Sequence, residues 1–354
     1  MSSIEKHHTK RNRAVLVVGA GRSGTSAVTR GLASLNVELG ENLKPATAKN
    51  PTGFWEDADL LRVGKAARAC LGLSAESVAL IDDEAWQDPA LEPHYAEATA
   101  IIEKRFGQTP LWGFKYAQTL RMLPFWLEVL ERSHVDPSWV VASRNPLSVS
   151  RSRRKLDRLR GVQEKSDLEW LVSVVPYFHR ITSQPCVVVD FDRLMHDPSA
   201  QLMRIAEALD LSVDGGVREA VRSYTETFLV DGMRHTLFDP DEVASDSRIH
   251  PLTRDAFGWL YKLSADEIRL DDPAFREDWA RIEQSLHAQS SVLRYVDRLV
   301  AELREAEVRG LRGIAPRALK RLKRVRWIAA AFGAWKLRRD VSRSTDVRAA
   351  GRRP

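Results

Sequence analysis

The sequence has little cysteine: Cys70 and Cys186 are the only two in 354 residues, far apart and without Cys-x-x-Cys spacing. A disulfide framework and a cysteine-based zinc site are both excluded on that count. Long apolar runs are also scarce. The stretch Trp327 to Trp335 is far shorter than the ~20 residues needed to span a bilayer, and the opening MSSIEKHHTKRNR has no apolar core of a signal peptide. The expectation is a cytoplasmic protein with no spanning helix. The nine histidines show no metal-ligand spacing, so no metal is expected. Hydrophobic residues make up 44% and charged residues 29%, which rules out a mostly disordered chain and lets it bury a core.

Positive charge is abundant only at one end. Residues 312–354 hold fourteen Lys/Arg against Asp340 and Asp346, a balance of +12, so the other 311 residues carry −6 of the overall +6. A basic tail on an acidic body argues against a nucleic-acid partner. Within 317–339, Leu319, Leu322, Val325, Ile328, Phe332 and Trp335 form an apolar stripe beside a dense basic face. That pattern predicts an amphipathic helix suited to an anionic membrane surface, and hence a peripheral position on the inner face.

Four short apolar runs, Val15–Val18, Leu111–Phe114, Trp139–Ala142 and Cys186–Val189, alternate with helix-like stretches. The pattern predicts an α/β fold, a three-layer domain with a central parallel sheet. Ligands gather beyond the carboxyl ends of such strands, which here lead into Gly19, Lys115, Arg144 and Asp190. From about Pro240 strand candidates cease, and Val292, Tyr295, Val296, Leu299 and Leu303 have helical spacing. The expected organisation is a P-loop-type domain over 13–270, a helical extension over 271–310, and a basic amphipathic helix with a disordered tail over 311–354.

After the first strand, Gly19-Ala-Gly21-Arg22-Ser23-Gly24-Thr25-Ser26 has the spacing of a phosphate-cradling loop before a helix. The lysine that follows the second glycine in ATP- and GTP-hydrolysing loops is Thr25 here, and the cation is Arg22, inside the loop. A second anion site is expected at Arg144-Asn-Pro146, with Ser152 eight residues after Arg144, two turns along a helix that Pro146 preorganises. The strand Trp112-Gly-Phe-Lys115 delivers a lysine at its end, and Asn50-Pro-Thr-Gly-Phe-Trp-Glu56-Asp57 supplies a carboxylate pair.

These segments together resemble the sulfotransferases, whose donor is 3′-phosphoadenosine-5′-phosphosulfate (PAPS). The loop GAGRSGTS is similar to their 5′-phosphosulfate loop, and Arg144 with Ser152 to their 3′-phosphate motif, with Ser148 where an acidic residue is often found. The GFWED segment resembles bacterial carbohydrate-modifying members. The resemblance implies that Gly21, Arg22, Ser23, Gly24, Thr25, Ser26, Arg144 and Ser152 bind the nucleotide. Arg234, in a segment similar to an Arg-His element of related bacterial proteins, joins them. Arg22 and Lys115 would stabilise the transferring group, and Glu56 would be the general base, ahead of Asp57 and Glu41. A base at Glu56 requires partial burial beside Trp55. The chain departs from the pattern after Lys115: Tyr116-Ala117-Gln118 lacks both the histidine of cytosolic members and the aspartate of bacterial ones. The implied acceptor is a hydroxyl on a glycan or glycolipid. Alternatives are a nucleotide or small-molecule kinase, and a catalytically inactive nucleotide-binding protein at a membrane. Glu56-Asp57 as no more than a helix cap remains open, as does Asp190 as a purely architectural strand end.

Overall fold

The computed structural model describes residues 11–47, 53–227, 240–306 and 308–309. Arg234 and the segment 317–339 lie outside the described residues.

Four strands form one parallel sheet in the order β2-β1-β3-β4: β1 (Asn12–Val18), β2 (Leu111–Lys115), β3 (Val135–Ser143) and β4 (Cys186–Asp190). Both alternating sets of β1 side chains are buried, Val15 and Val17 on one side and Ala14, Leu16 and Val18 on the other. Burial on both faces is why these strands read as unbroken apolar runs. Val15, Val17, Val140, Ala142, Val187 and Val189 share one cluster with Val28 and Leu32 of α1 (Thr25–Ala33).

Further helices follow in chain order: α2 (Ala58–Cys70), α3 (Glu92–Phe106), α4 (Leu123–Arg132), α5 (Pro146–Arg154), α6 (Gln163–Val174) and α7 (Phe178–Ile181). After β4 come α8 (Phe191–His196), α9 (Pro198–Ala208), α10 (Gly215–Thr227), α11 (Pro240–Ser245), α12 (Pro251–Ser264) and α13 (Pro273–His287). Leu202 and Ile205 of α9 and Val221 and Tyr224 of α10 complete the cluster around α1. Helices α6 and α7 are separate, because Pro176 between them has no N–H with which to continue the ladder. Strand β3 begins four residues earlier than expected, since Val135 to Ser138 pair in register with Asn12 to Val15.

Residues 11–294 belong to one compact unit and those from Tyr295 onward to a second. No strand occurs among the described residues after Pro240, as the sequence pattern anticipates. The apolar stripe of that region does not enter a core: Val292, Tyr295, Leu299 and Leu303 are all exposed. Among the described residues, no helix is long and apolar enough to cross a membrane.

Candidate functional site

The site lies at the carboxyl ends of β1, β2 and β3, where three strands release Gly19, Lys115 and Arg144 side by side. The loop between β1 and α1 makes two left-handed turns, at Arg22 (φ 78°) and Gly24 (φ 83°). Gly24 caps α1 and passes so close to Phe191 that a Cβ would lie 2.1 Å from the ring carbon Cδ2. Arg22 has no such freedom, and a non-glycine residue in this region costs on the order of 1–3 kcal/mol. Its conformation is held from outside. Arg144 Nη1 donates to the Arg22 carbonyl at 3.3 Å, Arg153 Nη2 donates to the Gly21 carbonyl at 3.4 Å, and Arg22 Nε donates to Ser152 Oγ at 3.0 Å. Thus the loop and the start and last turn of α5, separated by more than a hundred residues, meet as the motif spacing requires.

Helix α5 opens as the sequence predicts: Pro146 occupies its first turn and Asn145 accepts from the Leu147 N–H at 3.0 Å. Arg144, just before it, is buried, and its guanidinium sits 4.3 Å from the centre of the Phe191 ring. Burial lowers its pKa, while Asp192 opposes that effect. Three buried polar atoms around the loop, Ser23 Oγ, Ser143 Oγ and Arg144 Nε, have no hydrogen-bond partner within the protein. Buried polar groups are normally satisfied, so a cluster of orphans beside a helix N-terminus fits an anionic ligand. A nucleotide phosphate has the acceptor oxygens that these donors lack.

At the other end of the loop, Lys115 Nζ donates to Ser26 Oγ at 3.3 Å and to Glu56 Oε1 at 3.1 Å. Both partners of the ion pair are buried, Lys115 to 4% exposure and Glu56 to 7%. Desolvation lowers the Lys115 pKa, and Glu56 is the main influence raising it. Thr25 is buried in the first turn of α1, and Ser26 Oγ also donates to the Phe54 carbonyl at 3.2 Å.

The adjacent carboxylates have different partners. Asp57 caps α2, accepting from the N–H groups of Asp59 and Leu60 at 3.1 and 3.0 Å, and pairs with Arg105 at 2.6 Å. The helix-cap reading therefore holds for Asp57, whereas Glu56 faces Lys115. Glu41 is exposed and lines a cleft of about 820 Å³ with Glu38, Arg105 and Leu111 along the outer edge of β2. Asp190 caps α8 through the N–H groups of Asp192 and Arg193, and its burial pushes its carboxyl up to about 6.

Three participants stand outside the expected site residues. Lys44 approaches Glu56 Oε2 at 3.6 Å with its ammonium 3.7 Å from the Phe54 ring centre, so Glu56 has a lysine at each oxygen. Arg153 is buried, bonded to Ser166 and close to Glu169. Phe191 lies against both Gly24 and Arg144. The order strand, acidic end, aromatic in Val189-Asp190-Phe191 was the available signal for the last; Lys44 had none, because only the fold brings it to Glu56, and Arg153 was one of several cations in its stretch. Of the basic residues crowding α5 and the turn after it, Arg153 and Arg160 turn inward to Glu169, while Arg151, Arg154, Lys155 and Arg158 are exposed. Among the described residues, no group of three or more His, Cys, Asp or Glu side chains is arranged to hold a metal ion.

No protein-family model matches the chain, and no curated protein matches it. Thirteen chains of solved structures do match. Sulfotransferase STF1 from Mycobacterium tuberculosis H37Rv is 17% identical with a TM-score of 0.38, over 60% of this chain and 72% of its own. The sulfotransferase domain of the Synechococcus PCC 7002 olefin synthase is 16% identical with a TM-score of 0.37, over 79% and 96%. Sulfotransferase STF9 from Mycobacterium avium is 13% identical with a TM-score of 0.40, over 73% and 77%.

Proposed function

We propose that the chain is a sulfotransferase that moves the sulfonate of PAPS to an acceptor hydroxyl. The observation that carries this reading is the junction of two spaced motifs around one loop: Arg22 bonded to Ser152 and beneath Arg144 at one end, Ser26 bonded to Lys115 at the other. One end suits the 3′-phosphate and the other the group being transferred, with the 5′-phosphate between them on Gly21 to Ser26.

In this mechanism the acceptor oxygen attacks sulfur, and the bond from sulfur to the nucleotide's bridging oxygen breaks, releasing 3′-phosphoadenosine-5′-phosphate. Lys115 holds the sulfonate oxygens and, with the N-terminus of α1, stabilises the negative charge that grows on the bridging oxygen, while Arg22, turned toward Ser152, adds its charge from the 3′-phosphate end of the loop. Glu56 takes the proton of the acceptor hydroxyl, a role worth ~10²–10⁴-fold in rate. In the structure Lys115 is engaged with Glu56. An incoming sulfonate competes for the ammonium and frees the carboxylate to receive the proton, so that base and donor become available together. No step calls for a metal ion.

The acceptor is proposed to be a glycan or glycolipid hydroxyl on the strength of the GFWED resemblance, and the basic segment 317–339 is proposed to hold the enzyme at an anionic membrane face on the cytoplasmic side. Calorimetric binding of 3′-phosphoadenosine-5′-phosphate tests the donor site, with 5′-AMP and ATP as controls. We expect affinity that needs the 3′-phosphate and falls by about 10–100-fold in Arg144→Ala, the loss of a charge-assisted contact of ~1.5–3 kcal/mol. Tighter binding of ATP with Mg²⁺ would favour a kinase, and nucleotide binding without turnover of any acceptor would favour an inactive binding protein.

A further inference from the structure

Within residues 11–294, three large hydrophobic side chains are exposed among those described, and two of them, Leu156 (45%) and Val162 (42%), belong to the turn joining α5 to α6. The same turn exposes Arg154, Lys155 and Arg158. Several surface arginines elsewhere have carboxylate partners: Arg62 with Glu97, Arg132 with Glu92, Arg204 with Asp266, Arg248 with Asp246. Among the described residues no carboxylate lies within ion-pair distance of Arg154, Lys155 or Arg158. The nearby acids are committed or set apart. Asp157 Oδ1 accepts from the N–H groups of Leu159 and Arg160, Glu169 takes Arg160 at 2.6 Å, and Glu164 stands exposed in the first turn of α6.

The turn is also well fixed. The N–H groups of Leu156 and Asp157 both donate to the Arg153 carbonyl at 2.9 Å, and that of Gly161 donates to the Asp157 carbonyl at 3.1 Å. Ser150 Oγ donates to the Gly161 carbonyl at 3.2 Å. Gly161 is pressed so closely on α5 that a Cβ there would lie 2.2 Å from the Arg154 Cα. A backbone tied down in this way presents cations and aliphatic side chains together without further ordering cost.

We propose that the turn 154–162 is a docking surface for an anionic lipid bilayer, with Arg154, Lys155 and Arg158 against lipid phosphates and Leu156 and Val162 in the acyl boundary. Paired cations and aliphatics are the composition of an interfacial segment. A soluble polyanion would satisfy the cations but give Leu156 and Val162 nothing, which is why lipid is favoured. Ser152 and Arg153, immediately before the turn on α5, touch Arg22 and Gly21, so docking here would bring the phosphate loop close to the lipid surface. The proposal does not depend on the sulfonyl-transfer reading.

The test is co-sedimentation of the full chain with phosphatidylcholine vesicles, with and without phosphatidylglycerol. The variants are Arg154→Gln/Lys155→Gln/Arg158→Gln and, separately, Leu156→Ser/Val162→Ser. Each lost charge is expected to weaken binding to anionic vesicles about fivefold, about a hundredfold for three, since a basic residue near such a surface contributes ~1 kcal/mol. The serine pair is expected to weaken it several-fold, and both variants should melt like the native protein because all five side chains are exposed. Failure of the native chain to bind anionic vesicles would overturn the proposal, as would equal binding by native and variant chains. Loss in the charge variant alone, with dextran sulfate competing as well as vesicles do, would assign the turn to a polyanion instead of a membrane.

Discussion

Replacing Glu56 by Gln removes a charge while keeping an oxygen for Lys115 to donate to, so the effect on Lys115 can be reasoned from geometry. The pair is 3.1 Å apart. At an effective dielectric of ~20 their attraction is on the order of 5 kcal/mol, taken as an upper bound. Burial already lowers the Lys115 pKa, and Glu56 is the main influence opposing it. Without that support the ammonium moves further toward the neutral amine. An anionic nucleotide bound beside Ser26 favours the ammonium again. Glu56→Gln is therefore expected to take up more protons than the native protein on binding 3′-phosphoadenosine-5′-phosphate. Calorimetry in two buffers of different ionisation enthalpy reads this directly. Turnover in the variant should fall by ~10²–10⁴-fold if Glu56 is the base. Equal proton uptake in both proteins, with turnover within tenfold of native, would refute both the coupling of the pair and the role of Glu56.

Arg153→Met is expected to raise the KM for the donor while leaving the acceptor KM unchanged, because Arg153 donates to the Gly21 carbonyl in the phosphate loop and to Ser166 in α6. Arg153→Lys should restore part of the effect; steady-state kinetics with each substrate varied decides it. Asp167 is fully buried, accepts from Gln163 and the His250 N–H, and burial pushes its carboxyl up to about 7. A raised carboxyl keeps a proton that the unfolded chain has lost, so stability falls as pH rises from the unfolded pKa through about 7. Asp167→Asn should remove that slope and stabilise the fold above neutrality by up to about 4 kcal/mol, from ~1.36 kcal/mol per pKa unit. Urea unfolding on either side of neutrality measures it, and an unchanged slope would reject the assignment.

The sheet was legible because all four strands are buried on both faces, which leaves β-branched runs such as Val15–Val18 and Val187–Val189 with nothing polar to break them. The loop and the Arg144–Ser152 spacing were legible because each is a local feature whose residues share one turn or one helix. What escaped depended on contacts across the chain. Lys44 reaches Glu56 from a segment paired with it by a single bridge, Leu43 to Asp57. Arg153 looks like one more cation in a basic stretch until Glu169 and Gly21 close around it. The exposed stripe of Val292 to Leu303 lies on a helix, as its spacing anticipates, and shows that such spacing specifies a face but not what covers it.

Glu56 and Asp57 show most clearly why neighbouring residues of one chemical type can separate in role. Their segment turns through two left-handed residues, Gly53 at φ 89° and Trp55 at φ 55°. After Trp55 the backbone is tied down twice, by the Lys44 N–H to the Glu56 carbonyl at 2.7 Å and the Ala58 N–H to the Asn42 carbonyl at 2.8 Å. In such an extended stretch successive side chains point in opposite directions. Asp57 is therefore directed to the start of α2 and to Arg105, and Glu56 to Lys115. Exchanging the two carboxylates in sequence would shorten the reach toward Lys115 by one methylene and place a longer side chain at the helix cap. A cap needs the short carboxylate that can fold back onto the second and third N–H groups of its helix, and the contact with Lys115 needs the longer reach. The order Glu-Asp is thus the one that serves both positions, and that constraint belongs to the backbone turn at Trp55 as much as to the acids themselves.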